Sequence, residues 1–234
     1  MSYEEIYIEN IRVMREFLEL YWNKSAQKDP QKAFQMLYSI YRDPDCAEVK
    51  TIHGIECTAD GLISLRRLYH HEGLSDQLVQ NYEAYRKGPI VFFPREKNGI
   101  NTVRNTVFGD RIDFTLFDIK RYLESTSEAD KNLCRLASAY RRPITKRWLK
   151  EMGSFRSIVD WLGIKGIFTN ENYEVFDIEK GNGSVIREYL DEYHWMWSDN
   201  YYNSLKEKIK QFMRQHEESA AEKVSSNEKE TPQS

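Results

Sequence analysis

Cysteine is scarce in this 234-residue sequence: Cys46, Cys57 and Cys134 are odd in number and far apart. A disulfide framework is excluded on that count, and reduced thiols are expected. Six prolines and eleven glycines are too few for a sandwich of many short strands. Long apolar runs are missing as well. The longest aliphatic and aromatic stretch, "IVFF", falls far short of the ~20 residues that a membrane-spanning helix requires. The acidic opening "MSYEEIYIEN" lacks the apolar core of a secretory signal, so no membrane partner and a cytoplasmic location are expected. Charge of one sign does not dominate: 34 Lys and Arg against 37 Asp and Glu leave a net charge of -3. The globally basic signature of many nucleic-acid binders is therefore absent. The phosphate-loop, dinucleotide-binding, zincin, serine-hydrolase and EF-hand signatures are missing too, and no cofactor is expected. Cys46, His53, Cys57 and either His70 or His71 are conceivable metal ligands, but their gaps match no standard zinc spacing, and no metal is expected.

What the chain has is aromatic apolar material, with 15 Tyr, 11 Phe and 5 Trp, and enough length to bury roughly 70% of its unfolded surface. Residues 3–22 read as an amphipathic helix with Tyr7, Ile11, Met14, Leu18 and Tyr21 on one face. Asp29 and Pro30 open a second helix. "AEVKTIHGIECTADG" alternates around a His-Gly turn, which predicts a hairpin, while "LISLRRLY" fits either helix or strand. Ser75 and Asp76 open a helix carrying Leu78, Val79, Tyr82 and Tyr85 that Gly88 ends, and "PIVFFP" reads as a buried strand. Ser127 and Asp130 have capping-box spacing for a helix that Pro143 stops. Two short helices then end at Gly153 and Gly163, and "IKGIFTNENYEVFDI" is irregular. "SVIREYLDEYHWMW" and "SDNYYNSLKEKIKQFMRQH" form a last helix pair, the second with Tyr202, Leu205, Ile209, Phe212 and His216 on one face. The expected fold is α+β and predominantly helical, one domain over residues 1–216 with a small sheet or hairpin, followed by a disordered tail over 217–234.

The stretch "GINTVRNTVFGDRIDFTLFDIKRYL" is the most pointed. On its helix Ile112, Leu116, Ile119 and Leu123 share one stripe, and Phe114 and Phe117 point the other way. Arg111, Thr115, Asp118 and Tyr122 run between the two. Either this line is a structural seam in which Arg111 and Asp118 meet directly or through Thr115, or it walls a pocket. In the pocket reading Asn101, Arg104 and Arg111 bind an anion and Asp118 is the candidate catalytic base.

"GPIVFFP", "GINTVRN", "DRIDFTLFDIKRYL" and "MGSFRSIVDWLGIKGIF", in that order, resemble a family of bacterial and phage proteins of unknown function. Its Ile-Asn-x-x-Arg and Asp-Arg-x-Asp-x-Thr-Leu elements fall on Ile100, Asn101, Arg104, Asp110, Arg111, Asp113, Thr115 and Leu116. The resemblance covers residues 85–215. "LYWNK" is similar to the family's Leu-Leu-Trp-Ser-Lys segment, but its Pro-Asn-Gly and Ser-Ser-Asp-Ser elements are missing here. Shared architecture is implied, and no reaction.

Two further features carry chemistry. "GNGS", Gly181 to Ser184, could offer backbone N–H groups to a phosphate, or be a plain turn with Ser184 as the N-cap of a following helix. From Lys131 to Lys150 there are seven Lys and Arg and no acid, with Tyr140 and Trp148 among them. Basic residues interleaved with aromatics suit a nucleic-acid groove, and Arg141, Arg142, Lys146, Arg147 and Trp148 are its candidate contacts. The leading expectation is a cytosolic binding or accessory protein without catalysis of its own, in a phage or defence setting by family context. An enzyme acting on a phosphorylated or nucleotide-like substrate through Arg104, Arg111 and Asp118 is the alternative. A nucleic-acid-binding protein is the third, and a protein partner fits the first.

Residues 219–234 contain a single Val and no aromatic side chain. Deleting them should leave the melting temperature within about two degrees of the full chain, because no apolar face is lost. A drop of about ten degrees in a thermal melt would contradict this reading.

Overall fold

His53 and Gly54 both take positive φ, 50 and 70, which is the backbone a two-residue hairpin turn needs. The strands on either side, β1 (Val49–Ile52) and β2 (Ile55–Asp60), accordingly pair antiparallel with Ile52 opposite Ile55. β3 (Val91–Pro94) lies antiparallel on the other side of β2, Ala59 facing Phe92, and all four of its residues are buried. The expected hairpin and buried strand are both present. This computed structural model describes residues 3–19, 30–40, 49–86, 91–189 and 197–229.

Helices pack around the small sheet. In chain order they are α1 (Tyr3–Phe17), α2 (Pro30–Ile40), α3 (Leu65–Glu72), α4 (Asp76–Arg86), α5 (Ile100–Phe108), α6 (Ile112–Glu124), α7 (Glu128–Asn132), α8 (Ala137–Tyr140), α9 (Pro143–Met152), α10 (Phe155–Leu162) and α11 (Asp199–Lys229). Local chemistry explains most of their ends. Ser64 accepts from the Arg67 amide and makes the ambiguous "LISLRRLY" a helix. Ser127 accepts from the Asp130 amide at 3.0 Å, as its spacing predicts. Gly153 and Gly163 close α9 and α10 with φ of 70 and 66, which glycine adopts without a Cβ penalty.

One continuous core runs from Ile11 in α1, through Phe93 in the sheet, to Phe212 in α11. The protein is therefore an α+β, mostly helical single domain. Among the described residues no helix is long and apolar enough to cross a membrane.

Several expectations are corrected. Residues 184–189 hold a bridge between Phe176 and Val185 and a bend, where a helix was expected, so Ser184 caps nothing. The helix expected over 127–142 breaks into α7 and α8, because Leu133 to Leu136 turn to deliver two amides to Asp118. α11 continues to Lys229, past the onset of the expected disorder at Glu217: its Glu-, Ala- and Lys-rich end has nothing apolar to bury but is made of strong helix formers. Phe117 and Leu123 are only half-buried against the core. Tyr21, Asp29, Cys46, Gly88 and residues 190–196 lie outside the described residues.

The start of α9 lacks a capping side chain of its own, since Arg142 precedes Pro143 there. Glu96, 48 residues earlier, supplies one: its carboxylate accepts from the Ile144 amide at 3.1 Å, and from the amide and hydroxyl of Thr145 at 2.8 Å each. Partial burial opposes the charge, but these donors hold the carboxyl below its ordinary value of 4.5. A folded-state pKa below the unfolded one adds stability above about pH 4.5 that is lost as the pH falls through the folded value. Glu96→Gln should therefore cost about 1 kcal/mol at neutral pH in urea unfolding, with the gap closing as the pH falls below 4.5 and through the folded value. A gap independent of pH would contradict the anionic cap.

Candidate binding site

Gly109 and Asp110, both left-handed with φ of 56 and 68, turn the chain sharply between α5 and α6. Such a corner leaves carbonyls that helix hydrogen bonds do not use. Side chains from three elements take them up: Arg67 of α3 and the Trp197 indole each donate to the Gly109 carbonyl at 2.8 Å, and Arg104 of α5 donates to that of Asp110 at 3.0 Å. Arg104 is fully buried, 5.9 Å from the Phe93 ring centroid. Asn101 contacts Thr58 of β2 at 3.4 Å. Neither residue is placed as an anion clamp.

Arg111 caps this corner from the other side. Its guanidinium lies 4.3 Å from the ring centroids of both Phe114 and Tyr201, and it grips Asp113 through two hydrogen bonds of 3.1 and 2.7 Å. Glu179 closes the remaining side. Burial works against the charge, but Asp113, Tyr201 and Glu179 together outweigh it and raise the arginine pKa further. Asp113 in turn accepts the Ile178 amide at 3.3 Å, which ties the irregular segment to α6.

Asp118 does not meet Arg111, contrary to the expected seam. Thr115 donates back to the Arg111 carbonyl instead, at 2.8 Å. The Asp118 carboxylate is filled by four donors: the amides of Arg135 at 2.7 Å and Leu136 at 3.2 Å, and the hydroxyls of Tyr140 at 2.6 Å and Tyr189 at 2.5 Å. Burial lifts its pKa above the ordinary carboxylate value, while the two hydroxyls and two amides oppose the rise. Tyr189 is itself held between Arg121 and Arg135, 5.0 and 4.7 Å from its ring centroid. Tyr122 leans on Tyr140, with centroids 4.5 Å apart. Two separate buried networks replace one polar line, because an i to i+7 offset places the two groups two turns apart along α6, each with different neighbours.

The basic segment also divides. Arg141, Lys146 and Arg147 are exposed and Arg142 is half-buried, but Trp148 and Tyr140 are wholly inside and cannot stack on a base. Trp148 packs edge-on against Phe93 and Trp161. The α9 period of 3.6 turns basic residues outward and this aromatic inward. Among the candidate metal ligands, Cys57 is buried in β2 with its thiol pushed up to about 12 by burial, and His53 is exposed on the hairpin turn. His71 instead stacks on Tyr202, centroids 4.1 Å apart, and faces Asp199 at 3.0 Å.

A cavity of about 500 Å³ opens between the turn at Gly181–Ser184 and the outer side of α11. Gly166, Phe176, Asp177, Asn203, Ser204 and Lys208 are among its walls. The turn takes three left-handed residues in succession, Gly181, Asn182 and Gly183, with φ of 64, 50 and 73. Its ends are fixed by the Gly181 amide on the Asp177 carbonyl at 3.0 Å and the Asp177 amide on the Ser184 carbonyl at 2.8 Å. Lys208 donates to the Ile167 carbonyl and lies 4.4 Å from the Phe176 ring centroid. Burial holds its pKa below the ordinary lysine value, against an opposing pull from the Asp113 charge. The glycine pattern marks this turn in the sequence, whereas nothing there distinguishes Lys208 from the other lysines of α11.

No protein-family model, curated protein or solved structure matches the chain.

Truncating Arg111 to Met strands Asp113, and truncating Asp118 to Ala strands two tyrosine hydroxyls and two amides. Each change should lower the unfolding free energy by about 3–5 kcal/mol in urea. With no shared partner the double variant should be additive within about 0.5 kcal/mol. A coupling above about 1 kcal/mol would reveal a contact between the two networks that the structure lacks.

Proposed function

We propose that this chain is a cytosolic binding or accessory protein with no catalysis of its own, and that the cavity beside the Gly181–Ser184 turn seats a small ligand. One observation carries the reading. Of the groups best suited to clamp an anion or move a proton, Arg111 and Asp118 are filled by partners from the protein itself, and Arg104 is wholly buried with its terminal nitrogens on the Asp110 carbonyl. Saturated groups stabilise a fold but cannot also engage a substrate without leaving buried charge behind. The cavity, at about 500 Å³, is of the size that takes a metabolite, and its walls mix small, amide and hydroxyl residues with Phe176 and Ile178.

A thermal-shift screen of metabolites on the full chain tests this, paired with Ser204→Trp, which fills the cavity. A ligand at about 100 times its Kd adds about 2.7 kcal/mol and should raise the melting temperature by several degrees in the parent only. The same shift in Ser204→Trp, or chemical conversion of the ligand on incubation, would overturn the reading.

A second reading is favoured by the outward basic face of α9 and the turn before it, where Arg141, Lys146, Arg147 and Lys150 are all exposed. These residues suit the phosphates of a nucleic acid, in a contact made by charge without stacking. Mobility shifts at 50 and 200 mM salt should show binding that weakens steeply with salt and disappears when Arg141, Arg142, Lys146 and Arg147 are reversed to Glu. Absence of binding at low salt, or its survival after reversal, removes this reading.

A further inference from the structure

Each carboxylate on the cavity wall has a cation of its own. Asp177 accepts the Lys180 amide at 3.1 Å and pairs with its ammonium at 3.2 Å, and Glu207 pairs with Lys210 at 2.8 Å. Lys208 differs. Its ammonium reaches the Ile167 carbonyl and the face of Phe176, and among the described residues no carboxylate forms an ion pair with it. Asp113 acts on it only at longer range and is itself gripped by Arg111 at 2.7 Å. The wall's acids are thus neutralised locally, and one partly buried positive charge is left facing about 500 Å³ of space. A half-buried ammonium without a counter-charge is costly, and its cost falls when a ligand supplies the missing anion.

The surrounding groups limit the rest of the ligand. Among the described residues no protein acceptor takes the amides of Asn182 and Gly183, on the turn that lines the cavity. Asn182, Ser184, Asn203 and Ser204 can each donate and accept, which suits hydroxyl groups. Phe176 provides an apolar surface on this wall.

We infer that the cavity takes a small hydroxylated organic anion, a sugar phosphate or sugar acid, with its phosphate or carboxylate on Lys208 and its hydroxyls on the amide and hydroxyl side chains around it. This assignment rests on the proposal that the cavity is the binding site. Lys208 sets the sign of the ligand's charge, and the Gly181–Ser184 turn sets how closely the ligand can approach.

The test uses thermal shift on the full chain with D-glucose 6-phosphate, D-gluconate, D-glucose and D-glucosamine at 10 mM each. At least one of the two anions should raise the melting temperature by two degrees or more, while glucose and glucosamine leave it unchanged. A shift from glucose 6-phosphate alone assigns a phosphate ester, and one from gluconate assigns a carboxylate. Lys208→Met should abolish the shift and Lys208→Arg should keep part of it. If Lys208→Met melts far below the parent, Lys208→Gln replaces it, since its amide can still donate to the Ile167 carbonyl. The inference is overturned if no anion shifts the parent, or if the shift survives in both Lys208→Met and Lys208→Gln. Binding of glucose or glucosamine that Ser204→Trp blocks would overturn the anion assignment while leaving the cavity as the binding site. An anion shift that survives Ser204→Trp would overturn both.

Discussion

The guanidinium of Arg111 is the point on which the α5–α6 corner, α11 and the irregular segment all depend. A charge this deeply placed is tolerated only when its partners are complete, and here they come from distant parts of the chain: Asp113 two residues on, Glu179 sixty-eight residues on, and the ring of Tyr201 ninety residues on. The Tyr201 hydroxyl also takes the Ile112 amide at 3.1 Å, so one side chain covers the arginine and satisfies the first turn of α6. A shift of α6 by a single residue would separate all of these at once. The register of α6 is therefore held by polar contacts as well as by the fit of Ile112, Leu116 and Ile119.

Asp118 does similar work at the next turns of α6, drawing Leu133–Leu136 and Tyr189 onto one carboxylate. Both networks join the helical layer to the segment 164–189, which has few backbone ladder bonds to hold it. That segment is rigid enough to shape a cavity because Ile178, Glu179 and Tyr189 are fastened to α6. The division of labour is common: buried charged groups fix a scaffold, and irregular backbone at its surface is left to bind.

Much of this was legible in the sequence wherever the cause is local. The His-Gly turn, the glycine stops at Gly153 and Gly163, the Ser127 cap and the burial of "VFFP" each follow from a few neighbouring residues. The stripe of Ile112, Leu116 and Ile119 was readable from period alone. The partners of Asp118 were not, because Tyr189 lies in a stretch whose apolar spacing imitates a helix, and only tertiary contact keeps 184–189 extended. Trp148 illustrates the opposite error: its basic neighbours suggest a surface, but the α9 period turns it inward. At the cavity, the glycines of "GNGS" gave a signal, while Lys208 gave none, since its place on the cavity wall, with no carboxylate paired to it among the described residues, is a matter of tertiary packing.

The order in which these partners leave the ribosome has a consequence for the growing chain. Arg111 and Asp118 emerge long before Tyr189, Trp197 and Tyr201, and domains assemble only when their closing elements exist. Until Trp197 and then α11 are made, the corner carbonyl of Gly109 lacks the indole and Arg111 lacks the Tyr201 ring over it, so α6 cannot settle into a dry core. Nascent chains halted before residue 199 would expose an apolar helix bearing partly paired charges, the kind of surface that chaperones hold. The cavity, bounded on one side by the same late helix, is then among the last parts of the molecule to take shape.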